Sequence, residues 1–291
     1  MAPPPQGGPA GARRPEVGGG TAVDVAAAGT GAWEWRSAAG GTHFWGVRAL
    51  EAMGWGAAFS SRLGGCSPEP WAGLNLGLRV GDDPARVGEN RRRWAAAAGF
   101  DPDAVSVLDQ VHGARVVRVE GPGAAGAADG QCTDQVGVVL AVGVADCAAL
   151  YLVDARRGVA ALCHAGWRGL VADIPGCALR AMGEEFGCRA ADVLAAVSPC
   201  IGPCCYEVDG PVIDALRASA PWAEEVLAPT RLGHARLDLG ETARRRLIAA
   251  GVPAGRIALS GLCTSCEEGR LFSHRRDRGR TGRMQAVLWR P

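Results

Sequence analysis

Three residues of the types that bind transition metals stand in short polar motifs near the middle of the chain. His112 lies in the loop Gln110–Gly113, Cys147 ends the motif Ala-Asp-Cys, and His164 opens the motif His-Ala-Gly-Trp-Arg-Gly. Two imidazoles and one thiolate, with a fourth coordination position open, form a ligand set typical of catalytic zinc. Asp146, next to Cys147, offers a carboxylate that could orient a ligating imidazole. The residue types therefore predict a zinc site with one position open.

A predicted β-hairpin brings Cys147 and His164 together. Two short apolar segments flank a polar turn over residues 154–158. If Asp154 faces Gly158 across this turn, Cys147 lies opposite the residue that follows His164, at the open end of the hairpin. Both side chains are then close enough to share one ion. A simpler interpretation stays open, in which Cys147 is a buried apolar side chain and the histidines cap loops.

The remaining cysteines offer a second, weaker metal motif. Cys263 and Cys266 form a CxxC pair, and Cys200, Cys204 and Cys205 are further thiols that could complete a structural zinc site. The lack of a second CxxC pair argues against such a site. An odd total of eleven cysteines in a long chain without a secretory signal favours reduced thiols over a disulfide scaffold.

The overall composition excludes several classes of function. The 291 residues contain 31 basic side chains, all of them arginine, against 30 acidic ones, which gives a net charge of +1. A nearly neutral chain generates no strong field for a nucleic acid or an anionic membrane. The absence of lysine excludes a Schiff base and a P-loop lysine. No apolar run is long enough for a membrane span, so we expect a cytoplasmic protein without nucleic-acid or membrane partners.

The start of the chain differs in composition from the rest. Residues 1–32 are rich in proline, glycine and alanine and contain little that could be buried, so we expect a disordered tail. The basic, acid-poor start of this tail also leaves an organelle transit peptide open. Aromatic residues first cluster between Trp33 and Trp45. We therefore expect one folded domain over residues 33–291.

The elements that must position the candidate ligands are strands interleaved with helices. Asp83 and Pro84 begin a helix that Gly99 ends, and further helices are predicted over residues 176–187, 209–218 and 238–250. Apolar runs predict strands over residues 105–108, 114–119, 136–144, 149–153, 159–163, 193–197, 257–259 and 284–289. Adjacent hairpins with interleaved helices indicate the α+β class, with mixed β-sheets packed together and helices on the outside of a single domain.

The segment that follows His-Ala-Gly-Trp-Arg-Gly contains an obstacle to a continuous helix. Pro175 and Gly176 stand where that helix is expected, and they cost a helix interior roughly 3 and about 1 kcal/mol respectively. Either a kink or a helix that restarts with Asp173 as its N-cap resolves this conflict.

Several motifs in fixed order resemble one known family. From residue 61 to residue 284 the chain contains SRLGGCS (61–67), LNLG (74–77), GDDP (81–84), ENR (89–91), QVHG (110–113), ADC (145–147), HAGWRG (164–169), IGPCCYEV (201–208), CT (263–264), FSHRRD (272–277) and TGRM (281–284). Together they resemble the laccase-domain, or polyphenol oxidase-like, family of purine nucleoside phosphorylases. The resemblance runs from about Trp55 to the end of the chain.

The resemblance implies a zinc enzyme that acts on purine nucleosides. Members of this family carry out the phosphorolysis of adenosine, inosine and 5′-methylthioadenosine, and the hydrolytic deamination of adenosine. Their metal ligands fall on His112, Cys147 and His164 of this chain, and their substrate contacts fall on Asn75 and Arg91. The fold that the family implies is α+β with mixed sheets.

Phosphorolysis requires a phosphate ion next to the ribose C1′ and a polarised purine as leaving group. Arg62, Arg91 and Arg168 are candidate phosphate anchors, because guanidinium forks match the oxygens of phosphate. The expected partners are therefore a purine nucleoside and phosphate. The sequence leaves open whether the chain is a monomer or a homodimer, and which nucleoside it prefers.

Three other functions compete with this interpretation. A copper-dependent polyphenol oxidase also uses two histidines and one cysteine, but its additional copper cluster needs more imidazoles than the five histidines of this chain provide. Copper binding is therefore possible but not favoured over zinc. In a hydrolase, Cys147 would be a nucleophile activated by His164. In a non-catalytic binding protein, zinc would be structural and would have four protein ligands.

Overall fold

The computed structural model of the protein describes residues 31–291. The predicted disordered tail, residues 1–32, lies outside the described residues except for its last two, of which Ala32 is buried. The described residues form β-strands β1 (Trp33–Ser37), β2 (His43–Val47), β3 (Gly56–Ser60), β4 (Val105–Asp109), β5 (Val116–Arg118), β6 (Gly123–Ala127), β7 (Gly130–Thr133), β8 (Val139–Val144), β9 (Ala148–Asp154), β10 (Val159–Ala165), β11 (Leu194–Val197), β12 (Glu207–Asp209), β13 (Leu227–Pro229), β14 (His234–Leu237), β15 (Ile257–Leu259) and β16 (Met284–Trp289). Their α-helices are α1 (Arg48–Glu51), α2 (Pro84–Ala98), α3 (Trp167–Val171), α4 (Ile174–Phe186), α5 (Gly210–Ser219) and α6 (Leu239–Ala249).

The strands form two large mixed sheets and one small sheet. The seven-stranded sheet has the order β1-β2-β3-β16-β8-β4-β6, and the six-stranded sheet has the order β15-β11-β9-β10-β7-β5. Strand β4 pairs in parallel with both β8 and β6, whereas β16 pairs antiparallel with β3 and β8. Strands β12, β14 and β13 form the small antiparallel sheet. The sheets are therefore mixed, as the sequence predicts.

The two large sheets pack face to face and are covered by helices on both outer faces. Between the sheets, Leu140 and Leu288 of the seven-stranded sheet pack with Tyr151 of β9 in one buried cluster. Because side chains alternate along a strand, the neighbouring Leu150 and Leu152 point to the opposite face, where they pack with residues of α3 to α6. On the outer face of the seven-stranded sheet, Trp94 of α2 packs with Ala141 and Val287. This arrangement confirms the predicted α+β fold with helices on the outside.

The hairpin of β9 and β10 is present, but its register differs from the prediction by one residue. Asp154 pairs with Val159 instead of Gly158, and His164 consequently pairs with Ala149. Gly158 adopts a φ of 69° and belongs to the turn, while the Asp154 carboxylate accepts hydrogen bonds from two backbone N–H groups of the same turn. The turn therefore holds one more residue than a pairing of Asp154 with Gly158 allows, and Cys147 lies just beyond the last pair of the ladder.

Helix α4 restarts the chain after α3, which resolves the conflict at Pro175. Asp173 is the N-cap of α4: it has a φ of 59°, and its side chain accepts a hydrogen bond from the backbone N–H of Gly176. Pro175 lies in the first turn, where a helix needs no N–H from it. Helix α2 starts in the same way, with Asp83 as N-cap and Pro84 in the first turn, and ends at Gly99 as predicted.

Candidate metal centre

The three candidate ligands converge from separate parts of the chain. His112 lies in the connection from β4 to β5, Cys147 in the connection from β8 to β9, and His164 near the end of β10. Their ligand atoms all lie within 4.8 Å of one another, and the two imidazole rings meet edge to face with 4.8 Å between their centroids. In the connections that carry His112 and Cys147, the chain crosses from the seven-stranded to the six-stranded sheet. The site thus lies at the boundary between the sheets.

A buried carboxylate, Asp129, fixes both histidines. Its Oδ1 lies 2.8 Å from Nδ1 of His164 and accepts a hydrogen bond of 2.9 Å from the backbone N–H of His112. Its Oδ2 accepts from the backbone N–H groups of Gly113 at 2.6 Å and Val111 at 3.3 Å. With Nδ1 of His164 bound to this carboxylate, Nε2 is the ring nitrogen left for a metal. Asp129 therefore has the orienting role that we expected of Asp146.

The expectation that Asp146 orients an imidazole is wrong, because its carboxylate is used elsewhere. Its Oδ1 accepts a hydrogen bond of 2.6 Å from the Thr264 hydroxyl, and its Oδ2 accepts one of 2.6 Å from the backbone N–H of Arg275. Asp146 has a φ of 81°, a left-handed conformation that costs energy for a residue with a side chain. These hydrogen bonds hold the strained residue that precedes Cys147.

The charges of the site favour a thiolate. Burial alone raises the pKa of the Cys147 thiol, but His164 and His112 outweigh burial and lower this pKa to about 6. Burial likewise lowers the pKa of His164, but Cys147 and Asp129 reverse the effect and raise it to about 9. The pKa of Asp129 is lowered, since hydrogen bonds from His164 and the neighbouring backbone overcome its burial. A thiolate is the form of cysteine that binds a metal.

The backbone approaches the thiol closely at Gly166. A Cβ atom at this position would lie 2.8 Å from Sγ of Cys147, which is closer than van der Waals contact allows. His112 on the other side has a φ of 61°, so its loop is also held in an unusual conformation. The absence of a side chain at Gly166 therefore leaves space for the Cys147 thiol.

The three ligands line a cavity of about 650 Å³, a volume within the range of about 300–1,000 Å³ that is usual for small-molecule sites. Five arginines also line it, namely Arg79, Arg91, Arg168, Arg275 and Arg283. Arg79 forms an ion pair with Asp109, whereas no carboxylate among residues 31–291 forms an ion pair with any of the other four. The cavity therefore combines a candidate metal site with four arginines that form no ion pair with a carboxylate of residues 31–291.

The predicted substrate contacts divide into two groups. Arg91 and Arg168 line the cavity. Arg91 is half-buried, donates two hydrogen bonds to the Leu76 carbonyl and has a pKa lowered by burial. Arg168 is exposed, and its guanidinium lies 4.4 Å from the centre of the Trp167 ring.

Asn75 and Arg62 are not among the residues that line the cavity. Asn75 is buried, donates to Asp82 at 2.8 Å and accepts from the backbone N–H of Arg283 at 3.0 Å. Arg62 lies over the ring of Phe272 at 4.8 Å and donates to backbone carbonyls. Asn75 therefore fixes the backbone that carries Arg283, and the structure does not bring Arg62 to the cavity.

Three residues in or beside the cavity were not identified from the sequence. Arg283 and Tyr206 line the cavity, and Asp129 supports the ligands. Arg283 and Tyr206 belong to the motifs Thr-Gly-Arg-Met and Ile-Gly-Pro-Cys-Cys-Tyr-Glu-Val. The motifs were recognised, but neither residue was assigned a role from the sequence. Asp129 follows the Gly/Ala-rich segment 121–128, and its position opposite His164 depends on the pairing of β7 with β10.

The donor set fits a transition metal. Two imidazole nitrogens and one soft thiolate suit zinc, a borderline-soft ion, and also copper. The carboxylate behind His164 is the usual support of a metal-binding imidazole. The convergence of these groups, rather than any one of them, makes the cluster a candidate metal centre.

Comparison with known proteins agrees with these features. Residues 56–291 match the family model described as multi-copper polyphenol oxidoreductase laccase. Purine nucleoside phosphorylase YlmD of Geobacillus stearothermophilus is 43% identical over 250 residues, which covers 80% of this chain and 89% of the relative. Purine nucleoside phosphorylase of Deinococcus radiodurans is 44% identical over 234 residues, with 80% and 88% covered.

A solved structure shows the same architecture. The crystal structure of the hypothetical protein YfiH from Bacillus licheniformis superposes with a TM-score of 0.83 at 34% identity, covering 88% of this chain and 99% of that one. The chain therefore belongs to the laccase-domain, polyphenol oxidase-like family, whose curated relatives named above are called purine nucleoside phosphorylases. Among residues 31–291, no helix has the length and apolar character that a membrane crossing requires.

Proposed function

We propose that the protein is a zinc-dependent purine nucleoside phosphorylase, with zinc held by His112, Cys147 and His164. The observation that carries this proposal is the position of the three ligands on the wall of a cavity that also contains arginines without a carboxylate partner among residues 31–291. The names of the curated relatives support it. A zinc ion held by these residues supplies Lewis-acid chemistry, which polarises a substrate oxygen or nitrogen and lowers the pKa of water.

In the proposed reaction, the bond between ribose C1′ and the purine nitrogen breaks, and C1′ forms a bond to a phosphate oxygen. Arg91, Arg168 and Arg283 are the proposed phosphate anchors, because they line the cavity and form no ion pair with a carboxylate of the described chain. Holding phosphate beside the sugar converts a bimolecular reaction in solution into an effectively unimolecular one. This proximity effect is a large part of the catalysis that such a site can provide.

The departing purine needs a proton or a hydrogen bond on its nitrogen. Tyr206 lines the cavity, and burial together with the nearby Cys147 raises the pKa of its phenol to about 12. The phenol therefore stays protonated at neutral pH and can donate a hydrogen bond to the purine. Hydrolytic deamination of adenosine is proposed as a second activity of the same cavity, with water replacing the amino group at C6 and ammonia released.

The decisive experiment separates the two reactions by their need for phosphate. Purified enzyme is loaded with zinc, incubated with adenosine, inosine or 5′-methylthioadenosine, and the products are resolved by chromatography. Phosphorolysis predicts that free base and a sugar 1-phosphate form only when phosphate is present. Deamination predicts inosine from adenosine with or without phosphate. Cys147→Ser should lose both activities, whereas His43→Ala, a histidine outside the cavity lining, should keep them.

The proposal would be wrong if no nucleoside were consumed, or if Cys147→Ser behaved like the wild-type enzyme. Loading the same preparation with copper and offering a phenol tests the polyphenol oxidase alternative, which predicts oxygen uptake. A cysteine hydrolase predicts an acyl or alkyl adduct on Cys147 and activity without metal. A non-catalytic zinc protein predicts metal binding but no product in any of these incubations.

A further inference from the structure

A second group of metal-ligating side chains lies outside the candidate catalytic centre. The thiols of Cys204, Cys205, Cys263 and Cys266 all lie within 4.8 Å of one another. In the sequence alone, the lack of a second CxxC pair is evidence against a zinc site formed by these cysteines. The structure nevertheless brings the adjacent Cys204 and Cys205 to the CxxC pair. Cys200, the fifth cysteine considered there, is buried and lies outside the cluster.

The fold explains why the two cysteine pairs meet. Strands β11 and β15 pair in parallel, so the loops that follow them leave the same edge of the six-stranded sheet. Cys200 and Cys263 continue this pairing as a parallel bridge, and the backbone N–H of Thr264 donates to the Cys200 carbonyl at 3.0 Å. Backbone hydrogen bonds of the sheet therefore bring together the two loops that carry the cysteine pairs.

The distances suit one tetrahedral ion better than disulfides. Sγ of Cys266 lies 3.5 Å from Sγ of Cys204 and 3.5 Å from Sγ of Cys205. Four sulfurs at about 2.3 Å from a zinc ion are about 3.8 Å apart in a tetrahedron. A disulfide joins only two sulfurs, whereas here one sulfur is equally close to two others. The four sulfurs are therefore close enough together to bind one ion.

The surroundings offset the charge that four thiolates would carry. The backbone N–H of Gly202 donates to Sγ of Cys263 at 3.2 Å. Arg236 donates to the Cys204 carbonyl, and Arg276 donates to the carbonyls of Thr264 and Ser265 at 3.0 and 3.3 Å. Both guanidinium groups are therefore bound to the loops that carry the thiols. Arg236 favours a negatively charged metal centre, whereas Arg276 also forms an ion pair with the neighbouring Asp277 at 2.8 Å.

We infer that Cys204, Cys205, Cys263 and Cys266 bind a second zinc ion, in a closed structural site distinct from the candidate catalytic centre. Four protein ligands leave no position for water or substrate, which is typical of structural zinc. The site would join the loop that carries Tyr206 to the loop that carries Thr264. Thr264 in turn holds Asp146, so the second ion would stabilise two walls of the cavity without touching substrate.

The test is a count of zinc ions per chain by elemental analysis, on protein purified under reducing conditions without chelator. The wild-type chain is expected to hold about two zinc ions, and a Cys204→Ser/Cys266→Ser variant about one. A His112→Ala/His164→Ala variant should also keep about one, and X-ray absorption should show that zinc with sulfur ligands alone, at about 2.3 Å. Cys66→Ser, which removes an exposed thiol outside both clusters, is the matched control and should keep both ions.

These outcomes do not depend on the proposed activity, since no substrate enters the measurement. The protein could bind the second zinc ion without catalysing phosphorolysis, and it could catalyse phosphorolysis without binding the second zinc ion. The inference is overturned if the His112→Ala/His164→Ala variant binds no zinc while circular dichroism shows that it is folded. Thiol counting on the denatured wild-type protein that reveals a disulfide within the cluster, or acid-labile sulfide in the preparation, also overturns it. If Cys204→Ser/Cys266→Ser does not fold, the sulfur-only spectrum of the histidine variant decides.

Discussion

Replacing Asp129 by asparagine tests whether the buried carboxylate organises the metal centre. Asp129 is fully buried and accepts hydrogen bonds on both oxygens, two on each. An asparagine side chain would have nearly the same shape, but one of its two terminal atoms would be an NH₂ group. Whichever way the amide turned, that NH₂ would face two N–H donors. The change therefore removes two hydrogen bonds and the negative charge beside His164 while leaving the volume unchanged.

The expected magnitude follows from the bonds that are lost. A hydrogen bond to a charged group contributes about 1.5–3 kcal/mol, and loss of the carboxylate behind a metal-binding imidazole typically lowers metal affinity by about 10–100-fold. That range corresponds to about 1.4–2.7 kcal/mol, which is the contribution of about one such bond. Only the bond to Nδ1 of His164 acts directly on a metal-binding imidazole. We expect Asp129→Asn to bind zinc about 10–100-fold more weakly at the His112, Cys147 and His164 site.

The assay is competition for zinc with a chromophoric chelator, followed by phosphorolysis at each free zinc concentration. Asp103→Asn, a substitution of an exposed carboxylate, is the control and should titrate like the wild-type enzyme. Circular dichroism and chemical denaturation of the metal-free variant show whether the fold survives. This reasoning is refuted if the Asp129→Asn variant is folded and its zinc affinity stays within a factor of about 2 of the wild type, because loss of such a supporting group should lower the affinity more.

Three further substitutions test other parts of the structure. Gly166→Ala places a Cβ 2.8 Å from Sγ of Cys147 and should lower zinc content and activity. Gly121→Ala is the control and should change neither, because no atom lies within 4 Å of the added Cβ. Equal zinc content in the two variants would contradict the proposed steric conflict. Arg283→Ala should raise the KM for phosphate about 10-fold or more, since a charge-assisted hydrogen bond to phosphate is lost, and an unchanged KM in steady-state kinetics would remove Arg283 from the phosphate site. Asp173→Ala should lower the free energy of unfolding by about 1–2 kcal/mol, because α4 loses its N-cap and alanine tolerates a positive φ poorly. Asp173→Gly should cost less in the same denaturation experiment, and a larger loss for glycine would contradict the cap assignment.

Local signals in the sequence were sufficient for most elements around the site. The cap residue Asp83 and Gly99 define both ends of α2, and a restart at Asp173 is one of the two solutions that the sequence offers for Pro175. Apolar runs identify β8, β9, β10 and β16, since the strands that form the interface between the sheets are buried over nearly their whole length. These features depend on neighbouring residues only, which is why a single sequence contains them.

Features that depend on contacts between distant segments were less accessible. The orienting carboxylate is Asp129 rather than Asp146, because the pairing of β7 with β10 determines which acid faces His164. The one-residue shift in the hairpin arises from the conformation of Gly158, which composition does not reveal. The first three strands, β1 to β3, and the small sheet of β12 to β14 lack long apolar runs.

The cysteine cluster also depends on contacts between distant segments of the chain. A CxxC pair alone was too little to predict a metal site, and the adjacent pair at Cys204 and Cys205 follows no common ligand spacing. Only the parallel pairing of β11 with β15 brings the two pairs to one place. Motif matching considers spacing along the chain, whereas a ligand set is defined by spacing in three dimensions.

The position of His112 and Cys147 on the two crossings between sheets has a mechanical consequence. An ion bound there would link one half of the β-sandwich to the other, so any sliding of the sheets would change the distances among its ligands. Substitutions in the interface between the sheets, such as at Tyr151 or Leu140, should therefore alter metal affinity without any contact with the ion. Metal affinity becomes a measure of how the two sheets are aligned.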